Sequence, residues 1–339
     1  MERELSRDRC NPIAGQKLWI DSTEYILGGK VGDGATSIVY KANRMGDGQT
    51  VAIKFLAPDP KYIDVEAFDN VAARFKREGE KGTQLEHPHL ITIFSYNANE
   101  KGDCFDSCSP DNPFLVMEFI HGRTLEDYIK KFPGRRPGFE INQGRLHIAI
   151  QVARALEDLH KKRLVHRDVK PANIFIKKAT HYGYPLVKLG DFGVVKWGDF
   201  HSSLSTGVFT ATSQQGLGTM KYMSPEQAIR PKDVASSSDI FSFGITLFEM
   251  FTGGILASSH HITEVMLARL ARGNTYSRYH SMGIDIETED EDIASSILDM
   301  FLRGVQGRPK IADVRGRLEF AYEQRFGSSW KEDLDEKVY

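Results

Sequence analysis

The chain has 339 residues, of which 40% are apolar and 27% charged, enough to bury a substantial core in one large domain or two small ones. Its formal net charge is −2, a balance that gives no electrostatic footprint for nucleic acid, which would ask for a basic stripe, so no nucleic-acid partner is expected. Three cysteines, Cys10, Cys104 and Cys108, are too few for a disulfide framework and indicate a reducing compartment, read here as the cytoplasm.

The first ten residues, MERELSRDRC, are charged and carry no apolar core of the kind a signal peptide has. Residues 1–23 read as an N-terminal extension with no interpretable pattern. From Tyr25 the pattern turns β-like: residues 25–31 and 37–43 alternate apolar and polar side chains around a glycine turn, and 50–56 follow the turn MGDGQ. Residues 65–85 read as a helix, followed by β-rich runs at 90–96 and 114–119. Between those runs lies KGDCFDSCSPDNP, where Cys104 and Cys108 have no second Cys or His pair nearby to complete a zinc site, so the segment reads as a loop. After His121 helical periodicity takes over at 125–132 and 142–161, with Leu146, Ile150, Ala153, Leu156 and Leu159 on one face. Short β pieces at 164–167, 174–176 and 187–189 precede a helical remainder that starts at Ser224. The longest apolar run, Ile240 to Ala257, is interrupted by Glu249 and two glycines and reads as a buried helix rather than a membrane span. The expected fold is α+β and bilobal: a β-rich lobe with one main helix over 24–120, a larger α-helical lobe over 121–326, and a tail over 327–339.

The chemistry-bearing residues follow the same order. KVGDGATSIVYKA places Gly32 and Gly34 between two strand-like runs, where a hairpin can close over phosphates. A plain hairpin turn explains two glycines equally well, whereas a dinucleotide-binding fingerprint fails because a strand, not a helix, follows. VAIK puts Lys54 among apolar neighbours, where an ammonium needs an anionic partner. Glu78, in the helical stretch RFKREGE, can hold it; a solvated Lys and a solvated Glu are the alternative when either is taken alone. HRDVKPAN over 166–173 and DFG over 191–193 then supply what phosphoryl transfer requires. Asp168 is a carboxylate for the acceptor hydroxyl, Asn173 and Asp191 are oxygen ligands for Mg²⁺, and Lys170 is a cation for the γ-phosphate.

With these motifs in this order, the chain from Tyr25 to about residue 325 resembles the eukaryotic-like (Hanks-type) protein Ser/Thr kinase family. The resemblance implies two lobes with ATP in the cleft between them, Mg²⁺ as the metal with Mn²⁺ as an alternative, and protein substrates as partners. It implies that Lys54 and Glu78 form the strand-to-helix ion pair and that Asp168 is catalytic, with Lys170 beside it. Val31, Gly32, Gly34, Val39 and Ala52 would line the nucleotide site, Met117 would be the gatekeeper, and Glu118 to Ile120 the hinge. Glu226 of SPE would pair with Arg308 of GRP, and Asp239 would brace the catalytic loop. Lys170 together with Thr219 is similar to the Ser/Thr rather than the tyrosine branch. Ser205, Thr206, Thr210 and Thr212 are candidate phosphosites in the segment 191–226, with Thr210 or Thr212 favoured and Arg167 as receptor of the phosphate. Two other readings, a pseudokinase scaffold and a small-molecule kinase, would require loss of Lys54, Asp168, Asn173 or Asp191, or absence of the SPE, Asp239, Arg308 and Thr219 platform. A homodimer is left open.

Gly79 and Gly82 stand out in the predicted helix, Gly82 at a position where the family places an apolar residue. Each glycine costs about 0.8–1.0 kcal/mol relative to alanine in a helix interior. The expectation is a loosely ordered helix whose Glu78 meets Lys54 only part of the time, so that Gly82→Leu would raise basal activity. The alternative is that a neighbour such as Leu85 or Phe94 fills the gap.

Overall fold

A computed structural model describes residues 14–34, 36–57, 65–97, 113–131, 139–177, 185–191, 195–196, 221–229, 234–253, 290–302 and 304–327. The N-terminal half is an antiparallel sheet built from β1 (Lys17–Ile20), β2 (Thr23–Asp33), β3 (Ser37–Arg44), β4 (Thr50–Leu56), β5 (Ile93–Asn97) and β6 (Phe114–Glu118), in the order β1-β2-β3-β4-β6-β5. The period-2 alternation sorts its side chains. Ile38, Tyr40, Ala42, Val51, Ile53, Phe55, Phe114 and Val116 fall on one face and form a small core of their own. Val39, Ala52, Lys54, Leu115 and Met117 fall on the other: the register sets Val39 opposite Lys54, Lys54 opposite Leu115 and Ala52 opposite Met117.

The edge strand β1 falls within residues 1–23, where the sequence shows no pattern. Leu18 and Ile20 are buried in the small core while Lys17 and Trp19 face outwards. A four-residue strand gives too few alternations to be told from chance.

Helix α1 (Val65–Gly82) lies against β5. Val71, Phe75, Glu78 and Gly82 recur at three- and four-residue spacing and are all buried, which defines its inward face. Gly79 and Gly82 sit in the last turn of this helix, and the room beside them is already taken. A Cβ on Gly79 would lie 2.5 Å from the Tyr96 ring, and one on Gly82 would lie 2.3 Å from Ile93 Cδ1. These are close-approach positions, filled by Ile93 and Tyr96 rather than by Leu85 or Phe94; Phe94 is exposed.

The C-terminal half is helical. It contains β7 (Gly122–Thr124), α2 (Leu125–Lys131), α3 (Gln143–Lys161), β8 (Leu164–Val165), β9 (Ile174–Lys177), β10 (Val187–Leu189), β11 (Val195–Lys196), α4 (Pro225–Ile229), α5 (Ser236–Phe251), α6 (Glu291–Leu302) and α7 (Ile311–Phe326). Asn142 caps α3 by accepting the Arg145 N–H at 2.9 Å. Both α3 and α5 are buried on more than one face and carry the centre of the larger core, which accounts for the apolar run from Ile240. Among the described residues no helix is long and apolar enough to cross a membrane.

The stretch from His89 to Thr92 touches both halves. Ile91 N donates to Leu189 O at 2.9 Å and Leu189 N to His89 O at 2.8 Å, while Glu118 N donates to Thr92 O at 2.9 Å. An ion pair follows the same route: Lys188 of β10 reaches Glu118 at the end of β6 at 2.8 Å.

Candidate active site

Lys54 projects from the side of β4 that also carries Ala52, and Glu78 from the inward face of α1, and the two meet. Lys54 Nζ donates to Glu78 Oε1 at 2.9 Å and Oε2 at 3.0 Å, and to Asp191 Oδ1 at 2.6 Å. The three groups form one chain of charge, carboxylate–ammonium–carboxylate. Burial works against the Lys54 charge, but Asp191 and Glu78 outweigh it and raise its pKa. Burial likewise pushes the Glu78 carboxyl up, to about 7, against the pull of Lys54. The Lys54 ammonium holds Asp191 below the usual carboxylate range. Asp191 adopts φ +61°, a left-handed conformation that a non-glycine residue keeps only where its surroundings enforce it. Gly190, just before it, donates its N–H to Asn173 O at 3.0 Å and accepts from His166 Nε2 at 3.1 Å, which fixes the approach.

The residues of the HRDVKPAN run, the candidate catalytic loop, are held as tightly. Asn173 Nδ2 donates to Asp168 O at 2.8 Å and to Asp168 Oδ2 at 2.9 Å, and Lys170 Nζ bonds the same Oδ2 at 2.9 Å. With Nδ2 spent on Asp168, Asn173 presents its amide oxygen at the other end. Asn173 Oδ1 and Asp191 are hard oxygen donors, a set that suits a small divalent cation brought in with phosphates.

Asp239, on α5, is fully buried and receives three donors: His160 Nε2 at 2.8 Å, His166 N at 2.9 Å and Arg167 N at 2.7 Å. Burial pushes its pKa up, yet these bonds hold the carboxyl below its ordinary value. The burial of His166 lowers its pKa, leaving a neutral ring whose Nε2–H donates to Gly190 O and whose Nδ1 accepts the Asp168 N–H at 3.3 Å. Arg167 itself sits at φ +71°. Further along, Arg308 grips Glu226 through two nitrogens, at 2.5 and 3.1 Å, and Ser238 Oγ donates to the same carboxylate at 2.8 Å.

Of the nucleotide-site candidates, Val39, Ala52, Lys54 and Met117 share one face of the sheet, next to Gly32, which pairs with Val39. Gly34 N closes the turn by donating to Ser37 O at 2.9 Å. Val31 is 52% exposed. Glu118 Oε1 accepts from Thr92 N and Lys188, and the Glu118 N–H is given to Thr92 O, which points to the Glu118 carbonyl as the group it can offer a ligand, close to half-buried Ile120. Thr219 and the candidate phosphosites Ser205, Thr206, Thr210 and Thr212 lie outside the described residues.

Several partners escaped the sequence reading. His160, His166 and Lys188 are ordinary polar residues in helical or β patterns until the fold sets Asp239, Gly190 and Glu118 beside them. Gln227 Nε2 donates to Arg167 O at 2.9 Å and ties α4 to the catalytic loop. Its adjacency to the SPE motif was the one available signal.

Comparison with known proteins agrees with this geometry. The family model described as "Protein kinase domain" matches residues 25–310. Serine/threonine-protein kinase PrkC of Bacillus subtilis is 30% identical over 285 residues, covering 84% of this chain and 39% of the relative. The kinase PknA of Corynebacterium glutamicum is 32% identical over 247 residues, 73% of this chain and 45% of the relative. The kinase pkn2 of Myxococcus xanthus is 34% identical over 244 residues, 71% of this chain and 26% of the relative. The chain thus spans less than half the length of these curated relatives.

Proposed function

The chain belongs to the eukaryotic-like (Hanks-type) protein kinase family, and from that premise we propose that it transfers the γ-phosphoryl group of Mg·ATP to Ser or Thr hydroxyls of protein substrates. One observation carries this reading: Lys54 is held between Glu78 and Asp191 while Asp168 and Asn173 are locked together beside them. In this reading the lobes are residues 24–120 and 121–326, with the cytoplasm as the working compartment.

Gly32 and Gly34 would cover the phosphates, with Val31, Val39, Ala52 and Met117 around the adenine and the backbone of Glu118 and Ile120 at its edge. Lys54 would draw the α- and β-phosphates into line once its bond to Asp191 gives way. Asp191 and the Asn173 amide oxygen would hold Mg²⁺, with Mn²⁺ as a substitute; the ion supplies neutralisation of the charge that develops on the β- and γ-oxygens. Asp168 would orient the acceptor hydroxyl and take its proton as the bond from acceptor oxygen to phosphorus forms and the β–γ bridge breaks. Lys170 would place a positive charge next to the transferred group. The near-neutral charge of the chain supports a protein acceptor over a nucleic acid. Thr219, Glu226, Asp239 and Arg308 would form the platform under the acceptor, and phosphate on Thr210 or Thr212 would order the intervening segment through Arg167.

The test is transfer of labelled phosphate from ATP to a generic protein acceptor. Asp168→Asn and Lys54→Met should each lower turnover by at least about 100-fold while melting near the parent temperature. Retention of more than about a tenth of the activity in both variants would overturn the reading.

A further inference from the structure

A second knot of charge lies outside the phosphoryl-transfer site. Lys221 Nζ bonds Glu249 Oε1 on α5 at 2.7 Å, and the Tyr222 hydroxyl donates to Glu249 Oε2. The Lys221 ammonium also lies 5.0 Å from the centre of the Tyr222 ring. The side chain of Lys221 is 9% exposed and that of Glu249 4%, so each charge depends on the other: a buried carboxylate stripped of its cation is strongly penalised. Burial, with Glu249 next to it, raises the Tyr222 pKa and keeps the phenol protonated as a donor. Ser242 Oγ of the same helix donates to Tyr222 O at 2.7 Å.

These contacts anchor one end of a short run. Its other end is anchored through Ser224, whose N–H and hydroxyl meet Gln227 Oε1 at 3.2 and 3.1 Å, and through Gln227, which bonds the carbonyl of the residue preceding Asp168. Residues 221–227 are therefore strapped between α5 and the backbone of Arg167, the residue next to Asp168.

Resting on the protein-kinase reading above, we propose that Lys221 is a positioning residue for the protein acceptor: its ammonium, spent on Glu249, sets where the strap lies relative to Asp168. Lys54, Asp191 and Asn173 do not touch this knot, so nucleotide binding and the attack of water on ATP should not depend on it.

The experiment compares Lys221→Met, Lys221→Arg and the double variant Lys221→Met/Glu249→Gln with the parent chain. The readouts are the KM for a protein acceptor, the KM for ATP, acceptor-free ATP hydrolysis and melting temperature. Lys221→Met should raise the acceptor KM about tenfold, with the KM for ATP and acceptor-free hydrolysis within about twofold of the parent, and Lys221→Arg should return the acceptor KM to within about threefold. If Lys221→Met fails to fold, the double variant, which buries no lone charge, carries the same expectation. An unchanged acceptor KM in a folded variant, or a loss of acceptor-free hydrolysis in parallel with transfer, overturns the proposal. A parent chain that modifies no protein overturns the function itself, a different result from a variant that equals an active parent.

Discussion

At Lys54 a single ammonium serves two carboxylates, and the weaker link in that chain is Glu78. Burial lifts its carboxyl to about 7, so above that pH Glu78 is ionised and the pair with Lys54 is complete. Below it the proton returns and the pair weakens to a neutral hydrogen bond. The kcat/KM of the free enzyme should therefore fall as pH drops through about 7, approaching a tenfold loss per pH unit on the acid side. Glu78→Gln should be slow at every pH and should lose that limb; a variant that keeps the limb would assign it to another group. The residues of this constellation were legible because each type has few substitutes in phosphoryl transfer and the motifs fix their order. The companions were not. His166 donates to Gly190 O only because β10 runs past the catalytic loop, and no spacing in the sequence announces that contact.

Between α1 and β5 the relevant quantity is space. Gly79 and Gly82 let the last turn of the helix press onto Tyr96 and Ile93, and this closeness sets the depth at which Glu78 reaches Lys54. Gly82→Leu should overpack the contact, costing about 1–3 kcal/mol of stability and lowering basal transfer by displacing Glu78. Thermal melting and initial rates check both. Ile93→Val removes the δ-carbon that a new Cβ would meet, so Gly82→Ala should be better tolerated with Ile93→Val than without it. A more active Gly82→Leu would restore the loosely held helix as the correct picture. The sequence located this helix but misjudged its glycines, because helix propensity is local whereas the partner side chains arrive from a strand more than ten residues on. Strand β1 was missed for a related reason: only its pairing with β2 makes Leu18 and Ile20 part of the core.

Across the whole molecule, the helical half depends on a pair far apart in the chain. Arg308, in the turn before α7, closes on Glu226 in α4, and both side chains are nearly buried. Arg308→Leu would leave the Glu226 carboxylate without its cation and should destabilise this half by about 3–5 kcal/mol. Urea unfolding checks it, and Glu226→Gln added to Arg308→Leu should recover part of the loss by removing the stranded charge. The bilobal organisation was legible from the change of period near His121, since β and helical repeats are hard to confuse over such lengths. How the halves are joined was not. The chain passes between them near Glu118, yet His89 to Thr92 and the Lys188–Glu118 pair join them a second time. Two fastenings side by side define an axle, and the sheet becomes an arm mounted on it. Strands β5 and β6 ride close to the axle, whereas β2 stands four strands out from β5, about 19 Å at the usual strand spacing, so a turn of about 10° would carry its glycines about 3 Å while scarcely moving Met117. With the nucleotide placed as proposed, leverage of this kind would let the phosphate end of its site gape for exchange while the adenine end kept its shape.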